Sequence, residues 1–146
     1  MDNLILVRGL PGAGKTTVSK LLTPESLYYD KTFSADHYFY DDKGNYNFNS
    51  NKLTSAHYFC QDKLIKSIEE HLDFIKAFGN LFNDVSFIVD NTFTTEKEIK
   101  IYEKIAVKYN LRFISLIVEN RHGNKSVHNV PEKTVEKMRN RFSIKL

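Results

Sequence analysis

The sequence predicts an α/β fold, a parallel sheet with helices on both faces. Three observations predict it. Apolar runs of strand length lie at residues 3–8, 85–89 and 112–118. Segments with helical periodicity separate them, and strands alternating with helices imply parallel pairing through right-handed crossovers. A glycine-rich loop, RGLPGAGKTT at residues 8–17, joins the first apolar run to the first helical segment. In such a sheet, ligands gather at the carboxyl ends of the strands.

The first element is a short buried strand over Asn3–Arg8. The loop after it fits G-x-x-x-x-G-K-[ST], with Gly9, Gly14, Lys15 and Thr16 at the fixed positions. Glycines let the backbone curl so that successive N–H groups point at an anion. The lysine reaches the terminal phosphates and the threonine hydroxyl ligates Mg²⁺. A helix beginning there adds the positive end of its dipole. Gly12, Ala13, Gly14, Lys15, Thr16 and Thr17 are therefore the expected ligands of ATP. Thr16 is the expected protein ligand of Mg²⁺, with waters completing the octahedron. The pattern makes residues 1–146 a single P-loop NTPase domain. The helix Lys15–Leu22 is expected to bury Val18, Leu21 and Leu22, and to stop near Thr23-Pro24.

Beyond it, Thr32–Ala35 reads as a second, short strand and DDKGNY (41–46) as a small hairpin. Leu53, Ala56, Cys60, Leu64, Ile68 and Leu72 recur at helical spacing, so a long helix covers about residues 52–75. Val85–Val89 is a buried strand. Thr95 and Glu98 fit a capping box for a helix burying Ile99, Tyr102, Ile105 or Ala106, and Tyr109. Arg112–Val118 is the next strand. Pro131–Phe142 is the last helix, with Val135, Met138 and Phe142 inward.

Composition narrows the function classes. No run of eighteen apolar residues and no signal-peptide pattern occurs, so a membrane span is not expected. The lone Cys60 excludes an intramolecular disulfide and suits a reducing cytoplasm. The net charge of +3 is unevenly spread. Residues 121–146 carry seven Lys/Arg against two acids, a net +5; residues 1–120 carry fourteen against sixteen, a net −2. A basic C-terminal end attracts polyphosphates or a nucleic-acid backbone, or is simply a solvated helix face.

Phosphoryl transfer to an alcohol needs charge stabilisation and a carboxylate that accepts the hydroxyl proton. Asp36, in SADHY, stands just beyond the second strand, where such a base should face the transferring phosphate. Asp90 ends the strand VSFIVD and is expected to hold the acceptor or to ligate Mg²⁺ through water. Arg121 and Lys125, four apart in NRHGNK, share a face if that segment is helical, and would close over the phosphates as a C-terminal lid. His122 and His128 read as surface or capping residues. The aromatic group Tyr38, Phe39, Tyr40, Tyr46 and Phe48 either stacks a nucleobase or packs the hairpin onto the domain.

Four motifs in order, RGLPGAGKTT, SADHYF, VDNTFTT and NRHGNKSVHNVPEKTVEKM, resemble the polynucleotide-kinase-like branch of P-loop kinases over nearly the whole chain. GNYNF followed by LTSAHYFC is most similar to its animal-type subgroup. The resemblance implies an ATP- and Mg²⁺-dependent kinase acting on the 5′-hydroxyl of a polynucleotide or nucleotide. It implies Asp36 as general base, Asp90 as an acid near the acceptor, and Arg121 as a lid arginine. Lys125 falls where the bacteriophage polynucleotide kinase of that branch has a second arginine. Phe39 falls where that enzyme has the arginine that holds the acceptor's 3′ phosphate, so Phe39 is expected at the acceptor site. Two other readings stay open on the residues alone: a small-metabolite kinase on the same scaffold, and a nucleotide-binding module without turnover.

Overall fold

The computed structural model describes residues 1–23, 32–81 and 84–146. Its elements are β1 (Asn3–Arg8), α1 (Lys15–Leu22), β2 (Thr32–Phe33), α2 (Leu53–Phe78), β3 (Ser86–Asp90), α3 (Glu96–Lys108), β4 (Arg112–Ile117) and α4 (Glu132–Arg141). Among the described residues the strands form one parallel sheet in the order β2-β3-β1-β4. This is the α/β architecture the sequence predicts, a parallel sheet among helices.

The alternation of a strand's side chains explains the layers. Leu4 and Leu6 of β1 face α2 and α3, where Cys60, Leu64, Ile68 and Tyr102 join one buried cluster. Ile5 and Val7 face the other way and pack with Ile88 against Val18 and Leu22 of α1. Helices therefore cover both faces. Leu21 is a correction, since it is 82% exposed. The eight-residue α1 touches the sheet along one i, i+4 stripe, and Leu21 lies off it. Pro24, expected to end α1, lies outside the described residues.

β2 is shorter than expected. After Phe33, the Ser34 hydroxyl accepts a hydrogen bond from the Asp36 amide and turns Ala35–Phe39 into a 3₁₀ helix. The hairpin is present as a single antiparallel bridge between Tyr40 and Tyr46. α2 runs three residues further than the periodicity implied and ends at Gly79, at φ 81°. The capping box of Thr95 and Glu98 opens α3. α4 departs from expectation. Val135, Met138 and Phe142 are only half-buried, and the helix buries none of its residues fully.

What holds the C-terminal end is Arg8, a residue the sequence reading passed over. It is 4% exposed. Its Nε and Nη2 donate to the Phe93 carbonyl at 3.1 and 3.0 Å, Nη2 also to the Ser143 carbonyl at 2.6 Å, and Nη1 to the Ser115 hydroxyl at 3.1 Å. The guanidinium also lies 5.0 Å from the centroid of the Phe142 ring. One side chain thus ties β1, the loop after β3, β4 and the chain beyond α4. Burial lowers its pKa, and Glu96 and Glu98 oppose that shift. Arg8→Met keeps the apolar stem and strands two buried carbonyls. We expect a loss of about 2–4 kcal/mol, read from the urea midpoint, because each unsatisfied buried group costs about 1–3 kcal/mol. An unchanged midpoint would show that water replaces these bonds freely.

Candidate functional site

The site is built at the carboxyl ends of β1, β2 and β3. β1 ends at Arg8, and the loop curls through Gly12 at φ 80° and Gly14 at φ 102°. Gly14 takes the N-cap position of α1 with no side-chain cap, so the first amides of that helix stay available to an anion. Lys15 follows at once. Its Nζ folds back over the loop and donates to the Leu10 carbonyl at 3.0 Å. Burial lowers the pKa of its ammonium, while Asp90 and then Asp36 raise it. The cation therefore stands within the field of two carboxylates.

Those carboxylates occupy different environments. Asp90 is buried, at 7% exposure. It accepts a hydrogen bond from the Ser19 hydroxyl at 3.2 Å, and the Thr16 side chain is near enough to favour its charged form. Burial raises its pKa, against the pull of Lys15. Of the two roles open to Asp90, this position ties it to the threonine and helix of the phosphate loop. Asp36 is half-exposed. The Tyr46 hydroxyl donates to its Oδ1 at 3.2 Å. Burial first, and then Asp36 itself, push the Tyr46 phenol well above its ordinary range, so it keeps its proton and remains a donor. Oδ2 lies 3.8 Å from His128 Nε2, beyond hydrogen-bonding distance but within electrostatic reach.

The turn that carries Asp36 is anchored from below. The Ala35 amide donates to Oδ1 of the buried Asn91 at 2.8 Å. Ala35, Phe39 and Ala56 form a small apolar cluster with Tyr46 packed on it. Phe39 is 5% exposed, so its ring serves as a floor for its neighbours and offers the acceptor little surface.

The lid differs from expectation in kind. Residues 118–131 contain no helix, so Arg121 and Lys125 share no helical face. Arg121 is 85% exposed and pairs with Glu119, Nε to Oε2 2.5 Å. Contact with the phosphate loop is made instead by Asn120, His122 and the lid backbone. Asn120 Nδ2 donates to the carbonyls of Asn124 and Gly12 at 2.9 and 3.4 Å. The Asn124 amide donates to His122 Nδ1 at 2.9 Å. His122 Nε2 therefore holds the ring proton and donates to the Ala13 carbonyl at 3.2 Å. The fit is close, since a Cβ on Gly12 would lie 2.6 Å from the Ser126 nitrogen.

His128 is a second correction, because it is neither a capping nor a plain surface residue. Its ring stacks on Tyr46 with centroids 3.9 Å apart and planes 24° from parallel. The lid thus reaches from the phosphate loop to the carboxylate of Asp36. His128, Asn91 and Asn120 are not legible as site residues in the sequence, and Tyr46 is legible there only as one of an aromatic group. Only Tyr46 had a local signal, its place in the hairpin just after Asp36.

No protein-family model matches the chain. Among solved structures it is similar to CysC, the APS kinase of Mycobacterium tuberculosis, in mutant form, at 10% identity and a TM-score of 0.44 over 96% of each chain.

Proposed function

We propose that the chain is an ATP-dependent phosphotransferase that moves the γ-phosphate to the 5′-hydroxyl of a polynucleotide or nucleotide. One observation carries this reading. Lys15, at the start of α1, feels two carboxylates of different exposure, the buried Asp90 and the half-exposed Asp36. The first suits the donor and its metal, the second an acceptor.

In this reading the loop amides and Lys15 bind the β- and γ-phosphates and offset the charge of the transition state. Asp36 takes the hydroxyl proton at Oδ2, since Tyr46 occupies Oδ1. Tyr46 and Asn91 keep the carboxylate in place. The residues present fit Mg²⁺, which binds through one or two carboxylates plus phosphates and keeps several waters. Thr16 would hold it directly and Asp90 through water. When bound, it neutralises phosphate charge. Arg121 and Lys125 belong to the lid. For Arg121 to reach a phosphate it must leave Glu119, and an exposed pair of that kind is worth only ~0–1 kcal/mol. A multiply charged phosphate competes easily with it. Among the described residues no helix is long and apolar enough to cross a membrane. The buried free thiol of Cys60 suits a reducing compartment, in keeping with a cytoplasmic enzyme.

The test is transfer from γ-labelled ATP with Mg²⁺ to a panel of 5′-hydroxyl oligonucleotides, nucleosides and sugars. We expect oligonucleotides to be labelled, with KM rising with salt at a slope of about 0.7–0.9 per phosphate contact. A 3′-phosphate should help little, because no cation stands at Phe39. Label on nucleosides or sugars with unlabelled oligonucleotides would favour a small-metabolite kinase. Label on nothing would leave a nucleotide-binding module.

A further inference from the structure

Along the turn and hairpin that follow Asp36 in the chain lies a cleft of about 510 Å³ that the phosphotransfer machinery does not use. Tyr38, Tyr40, Phe48, Asn47 and Lys52 line it, and Phe39 is its floor. Three of its aromatic side chains are open to solvent. Phe48 is 55% exposed, Tyr40 44% and Tyr38 36%. Each of these rings packs one side on the hairpin, Phe48 on Phe39 at 5.0 Å and Tyr40 on Tyr46 at 5.1 Å between centroids, and leaves the rest of its surface to solvent. The buried work is done by Phe39 and Tyr46, which lie 6.1 Å apart in an edge-on contact.

The rings are also ordered. His128 and Tyr46 stack in near-parallel planes, and Phe48 lies 17° from the plane of Tyr46 with centroids 6.5 Å apart. This ladder begins at Asp36, through the Tyr46 hydroxyl, and ends at the partly exposed ring of Phe48. The polar groups at the rim are unequal. The carboxylate of Asp41 also lines the cleft; it accepts from the Lys43 and Asn45 amides at 2.9 and 2.8 Å, bonds that lower its pKa and hold it negative on the turn side. Lys52 is exposed and offers an ammonium at the cleft's edge.

A flat π-system with an anionic linkage on one side fits this combination. We propose that the cleft seats a nucleobase of the acceptor, one within the first two nucleotides from the 5′ end. The base stacks on Phe48 and Tyr40, and a backbone phosphate lies against Lys52. Stacking tolerates any base, so the site grips a strand without reading its sequence. The inference rests on the reading of the chain as a kinase of polynucleotide or nucleotide 5′-hydroxyls, and adds a second contact point that a bare sugar alcohol lacks.

The chain has no tryptophan, so Phe48→Trp supplies a single fluorophore inside the cleft. Titrating this variant with a 5′-hydroxyl oligonucleotide, without ATP, should quench its emission. Phe48→Ala should raise the oligonucleotide KM roughly 5- to 100-fold, the range seen for losing one base–aromatic stack, and leave the KM for ATP alone. Moving an abasic residue along the acceptor should erase the difference between wild type and Phe48→Ala at position one or two. Wild-type transfer to oligonucleotides with an unchanged KM in Phe48→Ala would overturn the cleft and leave the kinase reading intact. If no oligonucleotide is phosphorylated at all, the functional reading fails first. The fluorescence titration then decides the cleft separately, and an unaltered emission rejects it.

Discussion

Phosphoryl transfer by Asp36→Asn is expected to fall by ~10²–10⁴-fold while ATP affinity changes little. The substitution keeps the size of the side chain and its hydrogen bond from Tyr46, since an amide oxygen accepts as a carboxylate oxygen does. It removes the negative charge, and with it the capacity to take a proton. Asp36 is half-exposed and stands apart from Thr16 and Ser19, which favour the charged form of Asp90 instead. Donor binding should therefore survive. Steady-state rates together with calorimetric titration of ATP separate the outcomes. A collapse of ATP affinity with an unchanged residual rate would make Asp36 a structural or metal-side residue.

Lys15→Ala is expected to lower turnover by ~10²-fold or more, the scale of losing a major electrostatic contact to the transition state. The lysine has two roles that disappear together. In the proposed reading it is the loop cation for the terminal phosphates, and it is the positive charge that both Asp90 and Asp36 act on. Asp90 already has its pKa raised by burial, and without Lys15 it rises further. The damage should then spread to the metal side and weaken Mg²⁺ dependence as well as rate. Near-wild-type transfer would sink the P-loop kinase reading. Measuring the Mg²⁺ concentration needed for half-maximal rate distinguishes the two roles.

The parts of this protein legible along the chain share one property: their causes lie within a few residues. The strand, loop and helix of residues 3–22 follow from a hydrophobic run, glycines at fixed places and a lysine. The capping box at Thr95 and Glu98 is complete within four residues. Ala56, Cys60, Leu64 and Ile68 of α2 announce their buried face by period alone, and all four are buried. The meeting of the phosphate loop, Asp36 and Asp90 at one sheet edge follows from parallel topology, which alternation of strands and helices already implies.

Tertiary structure decided whatever depends on contacts between distant segments. Tyr46 and His128 are 82 residues apart in number, and only the return of the lid across the sheet edge stacks them beside Asp36. Arg8 looks like the end of a strand, and becomes a latch because Phe93, Ser115 and Ser143 bring their oxygens to it. Leu21 matches the helical pattern yet is exposed, because a short helix on a sheet covers only a narrow stripe. Arg121 and Lys125 have the spacing of a helical face, but their segment is held as a loop by Asn120 and His122 bonding to the carbonyls of Gly12 and Ala13. The physical reason is common to all four. Periodicity and local chemistry act through covalent neighbours, while a buried polar group's partner is chosen by whatever the fold carries to it.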